Sequence, residues 1–212
     1  MPNFTYNGYE FYDVPKNGGT TVRLWLKHAE QGLPEDFNLD GYYTLAKIGL
    51  PRGWNDTVMG DEQFFSPGIE SNRRWCIVRD PVDRFISAYT DKILREALAP
   101  WNVEDCLNML GSGEMKQIAR EGPNMQHKQA ACHLLGQCHW LGYERCYFDH
   151  VFKITEMEQV RVFCQKHVFH IPLPAFHGRN QDKSGTTRVA LSDAQTEKVK
   201  RINAADYAVG WC

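Results

Sequence analysis

Eight consecutive residues constrain this chain more than any others: Val14-Pro15-Lys16-Asn17-Gly18-Gly19-Thr20-Thr21. They follow a short apolar, aromatic run, Glu10 to Val14, which stops at Pro15 and reads as a buried strand. They lead into Thr20 to Ala29, where Val22, Leu24, Trp25 and Leu26 recur as on a helix. Between strand and helix, Gly18 and Gly19 let the backbone take positive φ and approach a ligand closely. The helix start adds unpaired N–H groups and the positive end of the helix dipole. Lys16 supplies a mobile positive charge, and Thr20 and Thr21 supply hydroxyl donors. A strand–loop–helix of this composition is suited to holding phosphate. It is not a Walker A loop, because that motif needs lysine after its last glycine and a hydroxyl that holds Mg²⁺. Here lysine comes first.

A second segment reinforces the first. In Cys76-Ile77-Val78-Arg79-Asp80-Pro81-Val82-Asp83-Arg84-Phe85-Ile86-Ser87-Ala88-Tyr89, the strand candidate Arg74 to Val78 ends at Arg79. Ligands of open α/β sheets bind at that end of a strand. Asp80 is suited to cap the helix that follows, with Pro81 at its first position. Val82, Phe85, Ile86, Tyr89 and Ile93 form the expected core stripe. Ser87 falls on the opposite face with Arg84 and Asp91. Arg79 can clasp a phosphate through a bidentate fork, with Ser87 adding a hydroxyl.

Further helical patterns run near residues 102–110 and 124–135, and Tyr147 to Ile154 reads as a third strand. Thr155 with Glu158, and Ser192 with Gln195, form capping-box signatures, the latter opening a last helix expected to run to about Tyr207. Strands alternating with helices predict an α/β fold with a mainly parallel sheet. The length of 212 residues predicts one domain, 1–212.

The net charge of -2 and pI near 6.4 give no general attraction to nucleic acid or to anionic membranes, so neither is expected as a partner. An anion site must therefore be a local concentration of donors. No basic stretch followed by an apolar run opens the sequence, and no run reaches the roughly 18–20 apolar residues of a membrane span. Seven cysteines, an odd number, fit reduced thiols, and a cytoplasmic location is expected.

Together the two segments resemble the PAPS-dependent sulfotransferases (PAPS is 3′-phosphoadenosine 5′-phosphosulfate), most of all their carbohydrate-type, heparan-like branch. That family reads P-K-x-G-G-T-[ST] as a 5′-phosphosulfate loop and V-R-D-P-x-x-R-x-x-S-x-Y as a 3′-phosphate motif. This sequence carries every one of those positions, in order and about 60 residues apart. Weaker echoes lie at Asn124-x-Gln126 with Gln129 and Leu135-Gly136, at Phe148 to Glu156, at His177-x-x-Asn180 with Ser184, and at Asp206-Tyr207.

The resemblance implies a P-loop-like, three-layer α/β fold with helices flanking the central sheet, PAPS as donor, PAP as product and no required metal. Lys16, Asn17, Gly18, Gly19, Thr20 and Thr21 become the expected donor loop, with Lys16 neutralising the leaving group. Arg79 and Ser87 become the expected 3′-phosphate ligands. Lys183 and Ser184, in the stretch Gly178 to Arg188, are further donor candidates. Relatives take a Glu or His between the two motifs as general base, and no histidine lies between His28 and Arg79. Glu62 is the expected base, with Asp61 second.

The acceptor is expected to be a carbohydrate or another hydroxyl or amine compound. A P-loop kinase or NTPase is the rival enzyme, disfavoured by the missing Walker lysine; an inactive nucleotide-binding module is the non-enzymatic rival. Cys132-His133 and Cys138-His139, with Cys146, match no standard zinc spacing.

Overall fold

The computed structural model describes residues 4–32, 73–175 and 187–212. They form a mixed α/β protein with a four-stranded, mostly parallel sheet, as expected. The chain divides into two compact units, the first comprising Met1–Asp13, Gly18–Ile77 and Cys146–Gly178, the second Val14–Asn17, Val78–Arg145 and Arg179–Cys212.

The first unit holds the sheet. Its strands β1 (Phe4–Tyr6), β2 (Tyr9–Tyr12), β3 (Arg74–Val78, whose last residue belongs to the second unit) and β4 (His150–Lys153) lie in the order β1-β2-β3-β4. β1 and β2 form an antiparallel hairpin with Phe4 opposite Phe11. β2 and β3 pair in parallel, with Phe11 opposite Trp75 and Tyr12 opposite Cys76. Parallel neighbours need a crossover, and α1 (Gly19–Gln31) begins it after β2. Its buried face, Val22, Trp25 and Leu26, packs in one core with Phe11, Trp75 and Ile77 of the sheet. Met157 and Val160 of α7 (Met157–Phe163) complete that core with Cys164, Val168 and Phe169 of the π-helical turn beyond it. The buried Trp25 indole is satisfied by the Pro174 carbonyl at 3.1 Å.

The expected cap at Thr155 and Glu158 does not form. A 3₁₀ turn, Ile154–Glu156, precedes α7, and Glu156 rather than Glu158 turns back, its carboxylate accepting from the Lys153 N–H at 2.7 Å. Glu158 instead pairs with Arg161 one turn on, at 2.5 Å.

The second unit is helical. It contains α2 (Pro81–Tyr89), α3 (Val103–Ser112), α4 (Glu114–Glu121), α5 (Met125–Leu134), α6 (Gln137–Leu141), α8 (Asp193–Ile202) and α9 (Ala204–Val209). Asp80 caps α2 as predicted, accepting from Val82 N and Asp83 N at 2.9 and 3.0 Å; losing such a cap costs about 1 kcal/mol. The α2 helix runs on into a π-helical turn, Thr90–Arg95. Ser192 and Gln195 form their capping box, but the final helix breaks at Asn203 into α8 and α9. None of the seven cysteines is in a disulfide, and Cys132 and Cys138 are buried. No described helix is long and apolar enough to cross a membrane.

Candidate active site

Among the described residues, the second unit holds four of the predicted donor-binding residues, Lys16, Asn17, Arg79 and Ser87. Asn17 N–H closes a turn onto the Val14 carbonyl at 3.1 Å, and within that turn Lys16 stands at φ 74°. A side-chain-bearing residue held in the left-handed region costs about 1–2 kcal/mol, so the surrounding bonds must fix it there.

Those bonds are visible. Arg79 Nη1 donates to the Lys16 carbonyl at 3.2 Å, and Arg84 Nε donates to the neighbouring Pro15 carbonyl at 3.0 Å. Arg84 also donates to the His133 carbonyl at 3.1 Å. Ser87 lies on the same helix as Arg84 and is half-buried.

The polar face predicted for α2 is buried at two of its three residues. Arg84 is 2% exposed and Asp91 9%, while Val82 and Ile86 of the expected apolar stripe are only half-buried. Burial pushes the Arg84 guanidinium down to about 10, with the Asp206 carboxylate opposing, so it stays charged at neutral pH.

The Lys16 side chain reaches the π-helical turn. Its Nζ lies 2.6 Å from Asp91 Oδ2, with both side chains about nine-tenths buried. Lys92 approaches the same carboxylate at 3.4 Å and Arg95 contacts it directly, while Lys92 also pairs with Glu96 at 2.7 Å. Three cations thus share one aspartate, with one glutamate behind them. Burial, then Lys92 and Arg95, push the Lys16 ammonium down to about 7. Asp91 cannot restore the proton's full affinity because two other cations divide its charge.

Arg79 is also buried enough that its guanidinium is pushed below its ordinary range, against Asp83. Its Nε is buried with no hydrogen-bond partner among the described residues. His133 sits against the same cations. Its Nδ1 faces the Gln129 carbonyl at 2.8 Å, and because a carbonyl only accepts, Nδ1 carries the proton. Burial, with Lys92, pushes the ring down to about 3, so it is neutral.

One residue that sequence reasoning passed over organises this unit. Gln137, fully buried at the start of α6, accepts from Asn17 Nδ2 at 2.6 Å and from Arg79 N at 3.0 Å. Its own amide donates to the Arg79 carbonyl at 2.8 Å and to the Trp211 carbonyl. The Asp206 carboxylate holds the first turn of α6, accepting from Gln137 N at 2.8 Å and Cys138 N at 2.7 Å. Gly136 admits this approach, since a Cβ there would lie 2.7 Å from Asn203 Oδ1. The two sequence echoes at Leu135-Gly136 and Asp206-Tyr207 are thus parts of one hydrogen-bonded assembly.

In the first unit, Gly18 and Gly19 open α1. Gly18 takes φ 89°, and a Cβ there would meet Ile154 Cδ1 at 2.9 Å. At Gly19 a Cβ would fall 2.0 Å from Asp13 Oδ1. Thr20 is exposed and Thr21 half-buried. Glu62, Asp61, Lys183 and Ser184 lie outside the described residues.

The family model described as "Sulfotransferase family" matches residues 52–209. The chain belongs to the sulfotransferase family. The matched residues include Arg79, Ser87, Gln137 and Asp206, whereas the Lys16 loop precedes them. Membership brings the P-loop-like fold and sulfuryl transfer as the general chemistry. No curated protein and no solved structure matches the chain.

Proposed function

We propose that this sulfotransferase takes its sulfuryl group from PAPS and transfers it to an acceptor hydroxyl or amine, releasing PAP. The observation that carries this reading is a cation cluster, buried at Lys16 and Lys92 and exposed at Arg95. Lys16, Lys92 and Arg95 share Asp91 in a protein whose net charge is -2. Arg79 lies one hydrogen bond from the Lys16 backbone and has a buried Nε without a described partner. Such a local excess of positive charge suits a polyanionic ligand.

Lys16 is the residue we assign to the charge that develops on the departing phosphate oxygen, as electrostatic stabilisation requires. Gly18, Gly19, Thr20 and Thr21 are assigned to the 5′-phosphate. They follow Lys16 and Asn17 directly in the chain, so covalent connection alone keeps them near. Arg79 and Ser87 are assigned to the 3′-phosphate, and Lys183 and Ser184 to the nucleotide.

In the reaction the acceptor oxygen forms a bond to sulfur while the sulfur–phosphate oxygen bond breaks, and the hydroxyl proton passes to a base. Glu62 is assigned as that base, with Asp61 second. We take the acceptor to be a carbohydrate or another hydroxyl compound, and the site of action to be the cytoplasm, in keeping with seven cysteines none of which is in a disulfide. No nucleic acid, membrane or metal enters this reading.

Calorimetry with PAP, ATP and ATP plus Mg²⁺ tests the donor. Tight binding of PAP without metal is expected, and preference for ATP with Mg²⁺ would overturn it in favour of a kinase. Incubation with ³⁵S-labelled donor and cell extract, followed by identification of the labelled product, names the acceptor.

A further inference from the structure

A buried side-chain amide is costly unless all its polar atoms are paired, and an aliphatic residue would fill the same space without that demand. Gln137 is fully buried and uses every bond its amide can make, two accepted and two donated. None of the four goes to its own helix. They reach residues 120, 58 and 74 positions away in the chain, namely Asn17, Arg79 and Trp211.

Two of those partners belong to the donor machinery. Asn17 follows Lys16, and both backbone groups of Arg79 are clasped by the same amide. Arg79 in turn donates to the Lys16 carbonyl. The result is a closed ring: Gln137 to Asn17, Asn17 to Lys16 through the peptide, Lys16 to Arg79, and Arg79 back to Gln137. The ring fixes the strained Lys16 backbone relative to the peptide of Arg79. Asp206, holding the first turn of α6, fixes Gln137 itself.

We propose that Gln137 is a positioning residue for the donor site, setting Lys16 and Arg79 at the separation that one bis-phosphate ligand requires. The inference rests on PAPS being the donor. Gln137 touches no reacting atom; it acts through Asn17 and the Arg79 peptide. An amide is needed because only a side chain that both accepts and donates can hold an N–H and a C=O of the same residue.

Two variants test this against PAP, read by calorimetry as ratios to the parent at pH 6 and pH 8. Gln137→Met keeps the volume and loses all four bonds. PAP affinity is expected to fall tenfold or more at both pH values. Gln137→Glu keeps the acceptor oxygen but faces two carbonyls with a carboxyl group, which favours its protonated form. At pH 8 it is expected to bind PAP at least tenfold more weakly than the parent. At pH 6 the protonated carboxyl donates one bond, retaining three of the four, and most of the affinity returns.

That return at low pH is a signature a general loss of stability does not give. Should the Met variant fail to fold, the Glu variant at the two pH values decides alone. Folded variants that bind PAP as tightly as the parent, or a weakening in the Glu variant that does not change with pH, overturn the positioning role. A parent protein that does not bind PAP overturns the donor reading instead, so the two failures are distinguishable.

Discussion

The Lys16 ammonium lies 2.6 Å from the Asp91 carboxylate, and Asp91 is shared with Lys92 and Arg95. In this state the lysine assigned to the leaving group is already engaged. If Lys16 meets the donor as proposed, an incoming anion competes with Asp91 for it, so Asp91 is expected to weaken donor binding while holding a mutually repelling cluster together.

Replacing Asp91→Asn therefore has two opposite effects. PAP binds more tightly, by about threefold or more at low salt, because one competing negative charge is removed. The empty protein becomes less stable by about 3–5 kcal/mol, the range for breaking a buried ion pair. Calorimetry and thermal unfolding with and without PAP measure both. Weaker PAP binding in a folded variant would show that Asp91 assists the donor instead.

Donor binding should also depend on pH through Lys16. Its proton is held with a pKa of about 7 in the empty protein, and a bound anion favours the charged form. Affinity for PAP should thus fall as pH rises from 7 to 9, by up to about tenfold per unit, since binding takes up one proton. Lys16→Arg stays charged throughout and should remove this dependence. For folding the sign is reversed. Between about 7 and the ordinary lysine value of 10.5 the unfolded chain holds this proton and the folded one does not. Lys16 therefore makes the empty fold more stable as pH rises through that window.

Arg79→Ala and Ser87→Ala should lose PAP binding far more than fold stability. The loss of a charge-assisted contact corresponds to about 1.5–3 kcal/mol, or roughly 10- to 150-fold in Kd. Parental affinity in either variant would remove that residue from the 3′-phosphate.

Gly19→Ala should destabilise the fold, because its Cβ falls 2.0 Å from Asp13 Oδ1. Overpacking of this kind costs about 1–3 kcal/mol, a fall in Tm of about 3–10 °C for a chain of this size. Adding Asp13→Ala should recover part of it, although Asp13 also pairs with Arg23 at 3.2 Å. An unchanged Tm in Gly19→Ala would mean that Asp13 moves aside freely.

Glu62→Gln should leave PAP binding intact and slow turnover by about 10²- to 10⁴-fold, with the acidic limb of the pH–rate profile lost. Near-parental turnover would pass the role to Asp61 or to a histidine such as His127 or His177.

Local chemistry made part of this architecture legible. The β3–α2 junction could be read because Asp80 and Pro81 mark a helix start within two residues, and the Lys16 loop because its glycines stand between an apolar run and a helical pattern. What escaped the sequence depends on partners far along the chain. Arg84 could be placed on the face opposite the apolar stripe, but its burial follows from the carbonyls of Pro15 and His133, which no local pattern announces. Gln137 gave no local signal, since its partners lie 58 to 120 positions away. The break at Asn203 was hidden because the helical pattern runs through it. Helix α4 went unread in a stretch where Gly111, Gly113 and Gly122 interrupt the apolar spacing.

The closed ring around Gln137 has a consequence for synthesis on the ribosome. Asn17 is made 120 residues before the amide that receives it, and that amide 74 residues before the Trp211 carbonyl that completes its bonding. At about 5–20 residues per second, the Lys16 loop waits on the order of ten to forty seconds in the nascent chain before its last restraint exists. The ring itself cannot close before Gln137 is made, so this restraint on the left-handed Lys16 arrives in the later part of translation.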